Sequence, residues 1–106
     1  MANIIYNNII PFKGFSAINL FGIIFVRKDV VVTATMLNHE RIHTAQMREM
    51  LYIFFYLWYV VEWLIKVVIY AEKAYVNLSF EREAYKNSWN ANYLKYRKLF
   101  SWFNYL

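Results

Sequence analysis

Residues 33–50 read Thr-Ala-Thr-Met-Leu-Asn-His-Glu-Arg-Ile-His-Thr-Ala-Gln-Met-Arg-Glu-Met, and this stretch sets the architecture of the chain. Its larger side chains recur at intervals of three and four residues, which is the spacing of one face of an α-helix. The residues on that face are Met36, His39, His43, Met47 and Met50. Thr33 or Thr35 can serve as the N-cap, because a threonine hydroxyl can accept the free backbone N–H groups of the first turn.

The chain after residue 50 is predicted to be helical as well. A second helix from about Ile53 to Tyr75 carries a polar stripe, which we expect to face water, at Tyr59, Glu62, Lys66 and Lys73. Glu62 and Lys66 form a favourable i,i+4 pair in it. One continuous helix over residues 35–75 would be about 60 Å long, whereas a domain of this size is roughly 35 Å across. The chain is therefore expected to fold back between Arg48 and Ile53.

Two further helices are predicted near the C-terminus. Asn77 or Ser79 can cap a third helix that starts near Phe80, and acidic residues in its first turn suit the positive end of the helix dipole. Residues 87–90 interrupt the pattern. A basic, aromatic helix over residues 91–103 follows the interruption.

The N-terminal third of the chain is predicted to form strands rather than helices. Residues 7–16 are predicted to be an irregular lead-in, and Ile18–Val26 is rich in β-branched and aromatic residues, which indicates a strand. Residues 27–29 are charged and predict a turn before a second short strand over Val30–Thr33. These strands form an antiparallel hairpin in which Gly22 marks a bulge or a close backbone approach.

The 106 residues are expected to form a single α+β domain. Residues 1–33 supply the lead-in and the β-hairpin, and residues 34–106 supply three to four helices. The chain has no cysteine, which excludes disulfide scaffolds, thiol nucleophiles and cysteine-ligated metal sites. A bound metal must therefore be held by histidine and carboxylate.

Residues 39–43 read His-Glu-Arg-Ile-His, a His-Glu-x-x-His sequence. On a helix, His39 and His43 point the same way and can direct imidazole nitrogens at one Zn²⁺. Glu40 lies beside them, where it can accept a proton from an activated water. The chain contains no other histidine, so the two that could bind a metal are the two at this spacing.

A catalytic zinc takes three protein ligands, so the third must be a carboxylate from elsewhere in the chain. The candidates are Asp29, Glu49, Glu62, Glu72, Glu81 and Glu83. Asp29 fits a turn, Glu49 lies on the wrong face of the first helix, and the polar stripe accounts for Glu62 and Glu72. This reasoning leaves the segment 80–85, with its two carboxylates Glu81 and Glu83.

The two segments, residues 38–46 and 80–85, resemble the gluzincins, which include thermolysin-like and prenyl-protein endopeptidase-like metallopeptidases. In that family His-Glu-x-x-His is followed by a helix with the pattern Glu-x-x-Ala-Asp, which Glu81-Arg82-Glu83-Ala84-Tyr85 matches except at its last residue. The resemblance implies that His39, His43 and Glu81 bind zinc and that Glu40 is the general base. It also implies that Ala84 lets the two helices approach, and that the strand before the motif lines the substrate cleft as an edge.

Tyr85 stands where the family has an aspartate that hydrogen-bonds a ligand histidine, and we expect its hydroxyl to act as a weaker orienting group. The oxyanion-stabilising role falls to a tyrosine or arginine, for which Tyr85 and Tyr75 are the candidates. Glu83 is expected to be a surface residue paired with Lys86 or Asn87. Gln46 either hydrogen-bonds near the site or is exposed.

The sequence is consistent with two alternative functions. The first is a zinc metallopeptidase that hydrolyses peptide or protein substrates. The second is a non-catalytic protein that binds a membrane surface or a partner, including a second copy of itself, with a vestigial motif. The net charge of +5 and the hydrophobic content of 60%, against roughly 45–50% in ordinary domains, favour the second.

The compartment expected from the sequence is the cytoplasm, with peripheral contact to a bilayer. We find no signal-peptide pattern near the N-terminus, and the longest charge-free apolar run, Met50–Val61, has 12 residues and is too short to span. Continued to Ala71 the stretch has 22 residues but contains Glu62 and Lys66, so a membrane span is the less favoured alternative. The aromatic residues 52–59 are expected to be core, and the basic aromatic residues 93–102 are typical of an interfacial helix. Nucleic-acid binding is disfavoured, because the basic residues are few and diluted by acidic ones.

Overall fold

The computed structural model describes residues 3–10 and 16–106. In those residues the chain forms a three-stranded sheet followed by four α-helices. The strands are β1 (Asn3–Asn7), β2 (Ala17–Leu20) and β3 (Ile23–Arg27), and the helices are α1 (Ala34–Glu49), α2 (Ile53–Tyr70), α3 (Ser79–Asn87) and α4 (Tyr93–Tyr96). Short 3₁₀ segments occupy Ala71–Lys73, Tyr75–Asn77 and Ser101–Tyr105. The predicted α+β class is confirmed.

The sheet differs in detail from the prediction. The predicted strand Ile18–Val26 is split at Phe21 and Gly22, whose φ values of 53° and 89° turn the chain between β2 and β3. Gly22 therefore forms the hairpin turn rather than a bulge. Val30–Thr33 is not a strand, because Thr33 is used as the N-cap of α1 and accepts the Met36 N–H.

Strand β1 was not predicted. It pairs in parallel with β3, so the order of the sheet is β1-β3-β2 and β2 lies at an edge. The lead-in predicted over residues 7–16 is irregular at 8–10, where the Asn7 carboxamide accepts the backbone N–H groups of Ile9 and Ile10. Its residues 11–15 lie outside the described part of the chain.

The expected fold-back occurs at the end of α1. Leu51 and Tyr52 both have positive φ, 53° and 61°, and the Tyr52 N–H donates to the carbonyl of Met47. The reversal packs α2 against α1 in a molecule with extents of 34 × 32 × 24 Å. Phe55 of α2 enters a core with Met47, Phe80 and Trp102, whereas Phe54 and Leu57 in the same aromatic stretch are exposed.

The predicted solvent-facing stripe of α2 is wrong for Glu62 and Lys66, whereas Glu72 and Lys73 are exposed as expected. Glu62 and Lys66 are 3% and 8% exposed. The Glu62 carboxylate accepts the backbone N–H and the hydroxyl of Ser79, and Lys66 donates to the Asn77 carbonyl at 2.9 Å. Glu62 therefore caps the N-terminus of α3 from a neighbouring helix, a role we expected Asn77 or Ser79 to fill. Helix α2 itself ends at Tyr70 rather than Tyr75.

The predicted basic aromatic helix over residues 91–103 is also wrong. Helix α4 ends at Tyr96, and Arg97 is extended, because its guanidinium turns inward to buried carboxylates. Tyr93 and Trp102 are buried too. Other apolar side chains of the segment, among them Leu99, Phe100 and Phe103, are exposed, but the α-helix ends at Tyr96 and they do not form the face of one continuous helix.

Candidate metal centre

Helices α1 and α3 bring His39, His43 and Glu81 together. The two histidines lie one turn apart on α1, and their Nε2 atoms are 3.1 Å from each other. The Glu81 Oε1 atom on α3 is 3.1 Å from the His43 Nε2 and 3.3 Å from the His39 Nε2. Ala84 is fully buried in a cluster with Ile42 of α1, which lets the two helices approach as the sequence predicted.

These three atoms suit a zinc ion. A tetrahedral zinc bound at about 2.0–2.1 Å holds its nitrogen and oxygen ligands about 3.3–3.4 Å apart. The observed separations of 3.1–3.3 Å are close to that spacing. Two imidazole nitrogens and a carboxylate oxygen are also a ligand set that zinc accepts. Glu83, the other carboxylate left open by the sequence, does not belong to this group.

The electrostatics of the group favour a bound cation. Burial alone would lower the pKa of His43, but the adjacent Glu81 carboxylate, together with Glu40 and Gln46, outweighs burial and raises that pKa to about 9. Burial likewise tends to raise the pKa of Glu81, but His43 and His39 hold it below its usual range. A metal at this point would therefore displace a proton, and its binding should weaken as the pH falls.

Glu40 shares the same cleft without joining the cluster. Burial raises the pKa of its carboxyl group, and the charges on His43 and His39 oppose that rise. Its backbone is fixed to the sheet, because the Asn19 side-chain amide on β2 donates to the Glu40 carbonyl at 2.9 Å and to the Thr44 hydroxyl at 2.8 Å. Glu40 is thus a partly buried carboxylate next to the histidines, held by the edge strand.

Gln46 orients His43. The His43 Nδ1 atom lies 2.7 Å from the Gln46 Oε1 atom, and the Gln46 amide nitrogen donates to the Phe80 carbonyl and to Glu83, each at 3.0 Å. When Nδ1 donates to that oxygen, the lone pair of Nε2 is free for a metal. Of the two alternatives for Gln46, the structure shows the hydrogen-bonded one, and the residue is fully buried.

The expectation that Glu83 is a surface residue is wrong. Glu83 is fully buried and accepts hydrogen bonds from Gln46, the Tyr93 hydroxyl and Arg97. Arg97 also pairs with Glu49 at 2.6 Å. A network of buried charges therefore extends from the histidines to the C-terminal segment, and Glu49 belongs to it rather than to the metal group.

Three tyrosines surround Glu81. The Tyr59 hydroxyl donates to the Glu81 Oε2 atom at 3.1 Å, a contact that its predicted place in the polar stripe of α2 did not indicate. The Tyr85 ring lies against the His39 ring with centroids 4.5 Å apart. Tyr75 lines the same cleft, and burial together with the charge of Glu81 raises the pKa of both Tyr75 and Tyr85.

All five predicted site residues line one cleft of about 770 Å³: His39, Glu40, His43, Glu81 and Tyr85. Its opposite wall is formed by residues 16–20, so the edge strand β2 borders the cleft as the resemblance implied. Helix α2 supplies a third wall with Phe55, Tyr56 and Tyr59.

Comparison of the chain with profiles of known protein families, with curated proteins and with solved structures finds no match.

Proposed function

We propose that the protein is a zinc-dependent metallopeptidase of the gluzincin type, with His39, His43 and Glu81 as metal ligands and Glu40 as general base. The observation that carries the proposal is the convergence of three ligand atoms, separated by 3.1–3.3 Å, in a cleft that also contains Glu40. A cleft bordered by an edge strand supports a peptide substrate, since an extended peptide can add to β2 as a further strand.

His39, His43 and Glu81 would hold the zinc, which would supply a Lewis acid able to polarise the scissile carbonyl and lower the pKa of water. Glu40 accepts a proton from the attacking water and delivers it to the leaving amine. Burial raises the pKa of Glu40, which favours a carboxyl group that first accepts the proton and then donates it. Tyr75 and Tyr85 are protonated at neutral pH, as tyrosines ordinarily are, and burial with the charge of Glu81 raises their pKa further, so their hydroxyls can donate to the oxyanion.

The test is zinc content and peptide hydrolysis measured on the same preparations of the full chain. Wild-type protein purified without chelators should hold one zinc and cleave unstructured peptides from a fluorogenic library. Glu40→Gln should keep the zinc and lose about 10²- to 10⁴-fold in kcat/KM. Glu81→Ala should lose the zinc as well.

Glu72→Gln is the matched control, because Glu72 is an exposed carboxylate in the 3₁₀ segment that follows α2. It should leave both zinc content and hydrolysis unchanged. The proposal fails if the wild type binds no zinc, or if Glu40→Gln cleaves peptides at the wild-type rate.

A further inference from the structure

Helix α2 places its charges inward and its apolar side chains outward. Its two ionisable residues of opposite sign, Glu62 and Lys66, are 3% and 8% exposed. Its exposed apolar residues are Ile53, Phe54, Leu57, Val60, Val61, Trp63, Leu64, Ile65, Val68 and Ile69, which we call the outer face. A surface helix in water has the opposite arrangement, with charges outward and apolar residues in the core.

The inward position of the charges is fixed by their contacts. Glu62 holds the first turn of α3 through Ser79 and accepts the Trp58 indole N–H at 3.1 Å. Lys66 is bound to the Asn77 carbonyl and lies 3.9 Å from Glu62. Turning α2 to expose these groups would break the bonds of Glu62 to Ser79 and of Lys66 to Asn77, so the outer face stays outward.

The dimensions of the outer face match the hydrocarbon layer of a bilayer. Helix α2 has 18 residues and is about 27 Å long, close to the hydrocarbon thickness of about 30 Å. The stretch Ile53–Lys73 is long and apolar enough to cross a membrane, and only 17% of its apolar window is buried. The nearest exposed charges lie beyond the ends of the helix, at Arg48 on one side and at Glu72 and Lys73 on the other.

The width of the outer face distinguishes lipid from a second protein helix. On a projection down the helix axis, at about 100° per residue, Trp63 and Ile69 mark the two edges of the outer face. The outer face covers about 240° of the helix circumference between them. One packed helix covers a stripe of about 100°. Lipid chains can cover the whole arc, and the net charge of +5 suits an anionic membrane.

We propose that the outer face of α2 lies in the hydrocarbon layer of a lipid bilayer. This differs from the interfacial helix expected over residues 93–102, where the α-helix ends at Tyr96 and the Tyr93 and Trp102 side chains are buried in the core. The proposal does not depend on zinc or on catalysis.

The test is flotation of the full chain with vesicles of phosphatidylcholine containing phosphatidylglycerol. Wild-type protein should float and should remain bound in high salt. Val60→Lys with Leu64→Lys places two charges on the outer face and should lower the bound fraction about tenfold or more. Val31→Lys, at an exposed valine in the loop before α1, is the matched control and should float like the wild type.

A second measurement reports depth directly. Trp63 belongs to the outer face and is 42% exposed, whereas Trp102 is buried in the core. Lipids brominated on their acyl chains should quench the fluorescence of the wild type, and Trp63→Phe should lose most of that quenching, because Trp89, although exposed, lies outside the outer face. The proposal is overturned if the wild type stays soluble with vesicles present. It is also overturned if the protein forms a defined dimer without lipid that the lysine variant dissociates.

Discussion

The side-chain amide of Gln46 connects the candidate ligands to the charged interior. On one side it contacts the His43 imidazole, and on the other it donates to Glu83, whose second oxygen binds Tyr93 and Arg97. Because every member of this chain of contacts is buried or partly buried, the orientation of His43 depends on residues far from the metal group. Such supporting contacts commonly change metal affinity by one to two orders of magnitude.

Replacing Gln46 by alanine should therefore weaken zinc binding by about 10- to 100-fold, because His43 loses its orienting acceptor. Competition with a chromophoric zinc chelator measures this affinity. Arg41→Ala changes an exposed residue of the same helix and serves as the control, with unchanged affinity expected. A folded Gln46→Ala protein that binds zinc as tightly as the wild type would contradict the orienting role.

At the residue scale, helical periodicity was enough to predict that His39 and His43 share a face. Glu81 was one of two carboxylates left by elimination, and the family resemblance favoured it. The burial of Glu83 could not be predicted, because it depends on Arg97, which reaches back from 14 residues further along the chain. Side chains whose role is set by a distant partner leave no local signal.

At the scale of secondary-structure elements, the reversal between α1 and α2 has the most unusual backbone conformation. Leu51 and Tyr52 adopt positive φ values that cost a non-glycine residue about 1–2 kcal/mol. The size of the domain predicted this bend, although neither glycine nor proline marks it. The hydrogen bond from the Tyr52 N–H to the Met47 carbonyl, at 2.7 Å, stabilises this strained backbone conformation.

Leu51→Gly should raise the free energy of unfolding by up to about 1 kcal/mol, because relief of strain exceeds the added entropy of the unfolded chain. The leucine side chain is 70% exposed, so its loss removes little packing. Urea denaturation measures the change. Leu51→Ala keeps the Cβ atom and should be nearly neutral, so a glycine variant no more stable than the alanine variant would count against the strained turn.

The elements that the sequence misplaced share a physical cause. Strand β1 was missed because parallel pairing with β3 joins segments that are distant along the chain and gives no hairpin signal. Helix α2 was assigned the wrong outward face because the periodicity argument places charged side chains on the exposed side of a helix. Glu62 and Lys66 point inward to bind Ser79 and Asn77, a tertiary requirement that spacing alone does not encode.

On the scale of the whole molecule, α2 contributes to two different surfaces: its inner side borders the cleft, and its outer face lies on the opposite side of the helix. Its inner side supplies Phe55 and Tyr59 to the cleft and Glu62 to the start of α3, which carries Glu81. Its outer face is the surface we propose to lie in lipid. If both proposals hold, the cleft opens beside a membrane, and substrates near the bilayer surface would reach it most readily.

The metal centre should also contribute to global stability, because its ligands come from α1 and α3. Zinc at 100 times its dissociation constant should stabilise the folded chain by about 2.7 kcal/mol, which corresponds to roughly 10 °C or more in thermal midpoint for a domain of this size. Scanning calorimetry with zinc and with a chelator measures the shift. Glu40→Gln keeps all three ligands and should show the full shift, whereas His43→Ala should show little or none. Equal shifts in these two variants would mean that zinc stabilises the protein at some place other than the His39, His43 and Glu81 group.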